Sequence, residues 1–348
     1  MEIIKMVITG GPCAGKSTAM SRIQNTLANM GYRVLFIGET ATELITGGVA
    51  PWTCGSNADY QRLQMKLQIE KEKIFQQAAQ TMDEERVLIV CDRGVMDNQA
   101  YMKPEEFAQV IREVDSNEVE LRDGYDAVFH LVTAAKGAEE FYTTVNNTAR
   151  TETPQEAAVL DDKIIAAWTG HPHFRVIDNS YDFESKIRKL IKEILSFLGE
   201  PEPLEIERKY LIAYPDLAML ESIENCEKVE IIQTYLHSEN EGEEVRVRQR
   251  GCDGHYVYFK TVKKALDGIR RIEIEKRLTK DEYLKLLMSA DTSKRQIRKN
   301  RYCLTYRSQY FEIDVYLKLS IIVDTKKTNF LKAKQRWINP DRIAYVSA

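Results

Sequence analysis

No run of about 18 uninterrupted apolar residues occurs in this sequence, so no ordinary membrane-spanning helix is expected. Cysteine is scarce too. Cys13, Cys54, Cys91, Cys226, Cys252 and Cys303 contain no C-x-x-C pair, which argues against a zinc site or a disulfide framework and leaves reduced packing residues. The opening Met1-Glu2-Ile3-Ile4-Lys5 reads as a strand rather than a leader, and a cytosolic, cytoplasmic protein is expected. The formal net charge is only −4, and no nucleic-acid partner is expected.

The sequence does have the means for two cores. At 348 residues and 43% hydrophobic content it exceeds one ordinary domain. Charge is divided unevenly: from Pro203 onward Lys and Arg outnumber Asp and Glu 28 to 22, whereas before it the acids lead 31 to 21. A basic second half points to an anionic partner of its own. The proline-interrupted Glu200-Pro201-Glu202-Pro203 marks the boundary, giving a first domain over 1–199, a linker over 200–203 and a second domain over 204–348.

One loop organises the first domain. Gly10-Gly11-Pro12-Cys13-Ala14-Gly15-Lys16-Ser17 follows the apolar run Ile3 to Ile8 and precedes a helix-compatible run from Thr18 to Met30. Strand, glycine-rich loop and helix together read as a P-loop, in which backbone N–H groups and a helix N-terminus cradle a polyphosphate. Lys16 is then assigned to the β- and γ-phosphates of ATP or GTP, and Ser17 to Mg²⁺ (or Mn²⁺), with Thr18 closing the motif. Tyr32 to Ile37 reads as a second strand, which puts Glu39 at the carboxyl edge where open α/β sheets bind ligands. Glu39 is a candidate base or substrate contact, or an ordinary loop acid. Val87 to Cys91 is a third strand ending in Asp92, placed to hold Mg²⁺ or its waters, or to act as base toward a phosphoryl acceptor. Further strands over 126–132 and 174–179 complete the alternation of a doubly wound parallel sheet. The segment Gly47 to Gly55, with Trp52, is a substrate loop or a connector. The polar stretch from Lys136 to Asp162 is a candidate lid, with Arg150 assigned to charge on the transferred phosphate. Phe183, Ile187, Leu190, Ile191, Ile194, Leu195 and Leu198 recur at helical spacing before Gly199 and read as core.

The G-G-P-C-A-G-K-S-T start, the acid after strand two, Cys91-Asp92-Arg93-Gly94 and the stretch from Trp168 to Asn179 resemble small P-loop kinase-like ATPases related to nicotinamide riboside and nucleoside kinases. That resemblance implies that Gly170-His171-Pro172-His173 and Asn179 line the base or acceptor side.

The second domain alternates charged and apolar residues along successive strands. Glu205, Glu207 and Lys209 share one face, as do Arg246, Arg248 and Arg250. The same reading groups Tyr256, Tyr258 and Lys260, then Arg271, Glu273, Glu275 and Arg277, then Lys299 and Arg301, and finally Glu312 and Asp314. Repeated over so many strands, this suits a barrel with a charged interior and a charged ligand. The E-x-E-x-K opening, the R-x-R-x-R strand, Glu273-x-Glu275 and Phe311-Glu312-Ile313-Asp314-Val315 resemble the CYTH, or triphosphate tunnel metalloenzyme, family. The resemblance implies an antiparallel barrel of about eight strands. Glu205, Glu207, Glu273, Glu275, Glu312 and Asp314 would hold metal, and Lys209, Arg246, Arg248, Lys260, Lys299 and Arg301 phosphate. Family members commonly end in another E-x-E strand, where this sequence offers only Asp324.

A P-loop kinase-like domain followed by a CYTH domain is similar to the TRPL translocation defect protein family, which implies GTP binding by the first domain and phosphatidic acid binding by the second. The leading expectation is an Mg²⁺-dependent nucleoside triphosphate-binding protein, with slow hydrolysis or a GTP-responsive switch, joined to a tunnel for a phosphate-rich small molecule or acidic phospholipid head group. The alternatives are a small-molecule kinase, a triphosphatase working in the tunnel, and a non-enzymatic lipid-binding adaptor with peripheral membrane contact.

Overall fold

The computed structural model describes residues 2–142, 152–200, 204–205, 209–238, 240, 242–265, 271–306, 309–317 and 344–347; for 204–205, 209, 265, 271–272 and 344–347 it describes the backbone. The chain divides into Met1–Leu198 and Gly199–Ala348.

The first unit runs β1 (Glu2–Gly10), α1 (Lys16–Ala28), β2 (Arg33–Ile37), α2 (Thr40–Thr46), α3 (Asn57–Gln80), β3 (Arg86–Asp92), a 3₁₀ turn over Val95–Tyr101, α4 (Pro104–Glu113), α5 (Glu118–Asp123), β4 (Ala127–Leu131), α6 (Pro154–Trp168), β5 (Phe174–Ile177) and α7 (Phe183–Phe197). Its five strands lie parallel in the order β2-β3-β1-β4-β5. The strands are continuous apolar runs because both faces of a parallel sheet are covered. On one face Met6, Ile8, Leu88, Val90, Phe129 and Leu131 pack against Ile23 and Leu27 of α1 and Ile187, Leu190 and Ile194 of α7. Helix ends are set locally: Ser56 caps α3 by accepting from the Asp59 amide, and Thr153 with Glu156 forms a capping box on α6. This order seats β3 beside β1, with Asp92 in register with Ile8, so the acid ending β3 stands next to the loop that leaves β1.

The second unit contains β6 (Leu204–Glu205), β7 (Lys209–Ile212), α8 (Leu217–Glu221), β8 (Cys226–Leu236), β9 (Glu243–Cys252), β10 (His255–Ala265), β11 (Arg271–Leu278), α9 (Lys280–Leu287), β12 (Ile297–Tyr306), β13 (Gln309–Tyr316) and β14 (Ala344–Ser347). Every pairing is antiparallel, in the order β6-β11-β10-β9-β8-β12-β13-β14-β7. The two ends of that order, β6 and β7, are successive pieces of one segment. The sheet order therefore begins and ends on one segment, the arrangement of an antiparallel barrel. Its apolar packing lies largely outside. Helix α8 covers Tyr302, Ile313 and Val315, and α9 covers Leu236, Val247 and Leu278. The opposite faces of the same strands are turned inward and carry charge.

Candidate functional site

The loop between β1 and α1 has the shape that a phosphate cradle needs. Gly10, Cys13 and Gly15 all have positive φ (150, 58 and 91°), and only glycine takes such values freely. At Gly10 a side chain would also collide with the Leu131 carbonyl, so the close approach of β4 requires glycine there. Gly11, Pro12 and Ala14 are tied down from behind. The Gly11 amide donates to Asp161 (3.0 Å), the Thr133 hydroxyl donates to the Pro12 carbonyl, and Lys186 donates to the Ala14 carbonyl (3.0 Å) and to that of Val132 (2.6 Å). Asp161 is fully buried in α6 and also accepts from the Thr133 amide, His130 and Lys136. Burial works against its charge, but His130 and Lys136 hold its carboxyl well below the usual range. Burial lowers Lys186 to about 8, against the pull of Asp161 and Asp178.

The residues expected to act on phosphate converge at the front of this loop. Lys16, the first residue of α1, is buried; burial and then the neighbouring Arg93 push its ammonium down, against Asp92, Glu39 and Asp97. Burial raises the Asp92 carboxyl, and its Oδ1 is buried with no hydrogen-bond partner. Such an orphaned acceptor near Lys16 suits a divalent cation or its water. Glu39 stands at the N-terminus of α2 and accepts from Thr42 (2.8 Å) and from Arg93 Nε (2.5 Å). Burial opposes its ionisation, yet Arg93, Lys16 and Thr42 bring it down to about 2.

Two participants were missing from the sequence reading. Arg93, with a left-handed φ of 69°, joins Glu39 to Asp97, the latter through Nη1 at 3.0 Å. Asp97 is itself buried and accepts from Thr9 and from the Trp168 indole, each at 2.6 Å. The signal available was the acid and base following the apolar strand in Cys91-Asp92-Arg93-Gly94. Thr9 and Asp97 lie too far apart in sequence for spacing to pair them.

Several assignments change. His171 is fully buried and bonds the Tyr125 carbonyl, which keeps it from lining a ligand site, and His173 packs edge-on against Phe197. Asn179 ties the carbonyls of Thr133 and Lys136 (both 2.8 Å), shaping the loop after β4. Phe183 is not core: it is 43% exposed and its ring lies against Gly15, where any side chain would strike it. Trp52 is exposed. Arg150 lies outside the described residues.

In the barrel, cross-strand register decides which residues face inward, because directly opposed residues share a face. Arg246 faces Thr261, which faces Glu275; Arg248 faces Phe259 and Gln233; Lys299 faces Ile231; Arg301 faces Asp314 and Val229. Register also places Glu205 and Lys209 on this face, opposite Arg271 and Ser347. Glu207 lies outside the described residues. Lys260 is a correction. It opposes Val247 and Lys276 on the outer face, as Tyr258 opposes Gln249 there and packs on Tyr283 of α9. The inward cation of β10 is Lys263, paired with Glu273 at 2.7 Å.

Interior charges form two sets. Arg246 and Lys263 hold Glu273, and Arg248 holds Glu275 (2.6 Å) with Thr261 (2.9 Å). Arg301 clasps Asp314 with two bonds (2.7 and 2.9 Å) and reaches Glu312, while Lys299 bonds Asp314 (2.5 Å). Among the described residues no group of three or more His, Cys, Asp or Glu is arranged to hold a metal. Cations nevertheless crowd together: burial, with Arg246, Arg301 and Arg250, pushes Arg248 down, and burial with Arg301 lowers Lys299 to about 8. The Nε groups of Arg246 and Arg248 are buried without a hydrogen-bond partner. Unpaired guanidinium donors converging on one interior make an anion site.

A doubly wound parallel sheet with a glycine-rich cradle after its first strand and an acid ending the neighbouring strand defines a P-loop domain of the nucleotide-binding class. A family model described as AAA domain matches residues 5–186, and the chain belongs to that family. No curated protein matches. Two solved structures are similar in part, one described as the hypothetical protein NE1496 (24% identity, 41% of this chain and 74% of that one, TM-score 0.23) and one as the inorganic triphosphatase NE1496 (25%, 41% and 71%, 0.24). Among the described residues no helix is long and apolar enough to cross a membrane.

Proposed function

We propose that the first unit binds and slowly hydrolyses a nucleoside triphosphate with Mg²⁺, and that the second binds a phosphate-rich ligand in its barrel. The observation that carries the first half is the braced cradle with Lys16 buried at its mouth beside the orphaned oxygen of Asp92. Ser17 and Asp92 would hold the Mg²⁺, which when bound supplies charge neutralisation along the β- and γ-phosphates. Lys16 and the loop amides grip the phosphates, and Glu39, ionised throughout the neutral range, orients a hydroxyl or water at the sheet edge.

For the second half the carrying observation is the pair of unsatisfied arginine donors at Arg246 and Arg248. Glu273, Glu275, Glu312 and Asp314 are each already held by a cation, which favours binding over metal-dependent cleavage. The resemblance to the TRPL translocation defect family supports GTP as the nucleotide and a phosphatidic acid head group as the barrel ligand. Tripolyphosphate offers the barrel the same chemistry as the lipid head group.

Phosphate release from ATP, GTP and tripolyphosphate, together with tripolyphosphate affinity, measured for wild type, Lys16→Ala and Arg248→Ala, tests the division of labour. Nucleotide turnover should vanish only in Lys16→Ala, and tripolyphosphate binding should weaken only in Arg248→Ala. Rapid tripolyphosphate cleavage by wild type, retained in Lys16→Ala, would instead make the barrel the enzyme.

A further inference from the structure

We propose that Arg93 is the arginine that meets the terminal phosphoryl group of the bound nucleotide, a catalytic residue held in place by Glu39 and Asp97. The inference rests on the reading of the first unit as a nucleotide-hydrolysing site.

Arg93 is the residue after the acid that ends β3, so its backbone lies at the rim of the cradle. Its guanidinium is anchored on two sides. Nε donates to Glu39 at 2.5 Å and Nη1 to Asp97 at 3.0 Å, which leaves Nη2 to neither carboxylate, and among the described residues Nη2 has no hydrogen-bond partner. Both anchors are themselves fixed: Glu39 by Thr42, Asp97 by Thr9 and the Trp168 indole. Thr9 immediately precedes the cradle, so the anchor of Arg93 is built onto the strand that carries the loop. The backbone adds a second indication. A non-glycine residue at φ 69° stores strain, and such residues persist where the surroundings hold them for a purpose.

A bracket joining two carboxylates would explain Nε and Nη1 but not the position of the charge. Arg93 lies close enough to Lys16 to push its ammonium down, with Asp92, Glu39 and Asp97 opposing, so both cations border the mouth of the cradle where a terminal phosphate would lie. In the reaction, a water oxygen bonds to the γ-phosphorus. The bond from that phosphorus to the β,γ-bridging oxygen breaks, its electron pair leaves on the nucleoside diphosphate, and the protons of the water end on inorganic phosphate and in solvent. Negative charge shifts toward the bridging and equatorial oxygens as this happens. A guanidinium already oriented by two carboxylates stabilises that charge without reorganising, and its planar N–H groups suit phosphoryl oxygens better than an ammonium would.

The full-length protein carrying Arg93→Lys is compared with wild type in three measurements: affinity for fluorescent GTP and GDP, single-turnover phosphate release, and formation of a GDP–aluminium fluoride complex. The substitution should slow release about 100-fold or more and abolish the fluoride complex, while GDP affinity stays within about 3-fold of wild type. Asp97→Asn, which keeps the guanidinium but loosens its anchor, should slow release about 10-fold with the same GDP affinity. Unchanged release and an intact fluoride complex in Arg93→Lys would overturn the proposal, and so would GDP affinity falling in step with GTP affinity, the mark of a bracket alone. A wild type that binds neither nucleotide would remove the underlying reading as well, an outcome distinct from either.

Discussion

Arg93 illustrates how much of a site can hang on one side chain whose sequence position says little. Its two carboxylate partners come from different elements, and each has a second role: Glu39 ends the connection into α2, and Asp97 ties Thr9 to Trp168. Glu39 makes this electrostatic arrangement measurable. Its folded value of about 2 lies below the ordinary 4.5, so the folded state binds its proton less readily than the unfolded chain. The stabilisation is therefore complete above about 4.5 and is lost as pH falls toward 2. Urea unfolding of Glu39→Gln at pH 7 should show a loss of roughly 3 kcal/mol, and the difference from wild type should shrink steadily between pH 5 and pH 3. A constant difference across that range would mean that Arg93 does not hold Glu39 ionised. Lys16, Asp92 and Glu39 could be singled out in the sequence because each ends a strand or opens a helix. Arg93 and Asp97 were not, since an arginine at positive φ leaves no mark that a glycine would leave.

At the level of elements, the hairpin joining β9 to β10 shows how a turn decides which side chains work. Asp253 and Gly254 both have positive φ (49 and 86°), as a two-residue primed turn requires, and they set Cys252 opposite His255. Counting outward from that turn pairs Arg248 with Phe259, Arg246 with Thr261 and Glu244 with Lys263, leaving Lys260 opposite Val247 beneath α9. A slip of one residue would exchange the two faces of the strand, and β10 carries lysines on both, so the alternation of residue types was ambiguous. The Asp-Gly dipeptide resolves it. Lys263→Ala should therefore weaken tripolyphosphate binding about 5-fold or more, whereas Lys260→Ala should leave it unchanged, as read by isothermal titration. Equal effects at both positions would contradict this register.

Taken whole, the molecule is two units, each with its own packing and its own proposed anion site, and the uneven charge of the chain follows that division. Each site should stabilise the unit that contains it. In scanning calorimetry, Mg²⁺-GTP at about 100 times its dissociation constant should add roughly 2.7 kcal/mol to one transition, an effect absent in Lys16→Ala. Tripolyphosphate should raise a different transition, an effect absent in Arg248→Ala; a single transition responding to both ligands would show that the units do not unfold separately. The sequence by itself determined the cradle, the strands that position Glu39 and Asp92, the change of architecture near Pro203 and the charged alternation of a barrel. These are written in short-range patterns: glycine spacing, apolar runs, the two-residue period of a strand. Only the tertiary structure decided that β3 lies beside β1, that Arg93 spans Glu39 and Asp97, that Asp161 and Lys186 brace the cradle from behind, and that His171 is core. Those contacts join residues far apart in the chain, where the deciding quantity is which buried polar atom finds a partner, and that is settled by packing rather than by spacing.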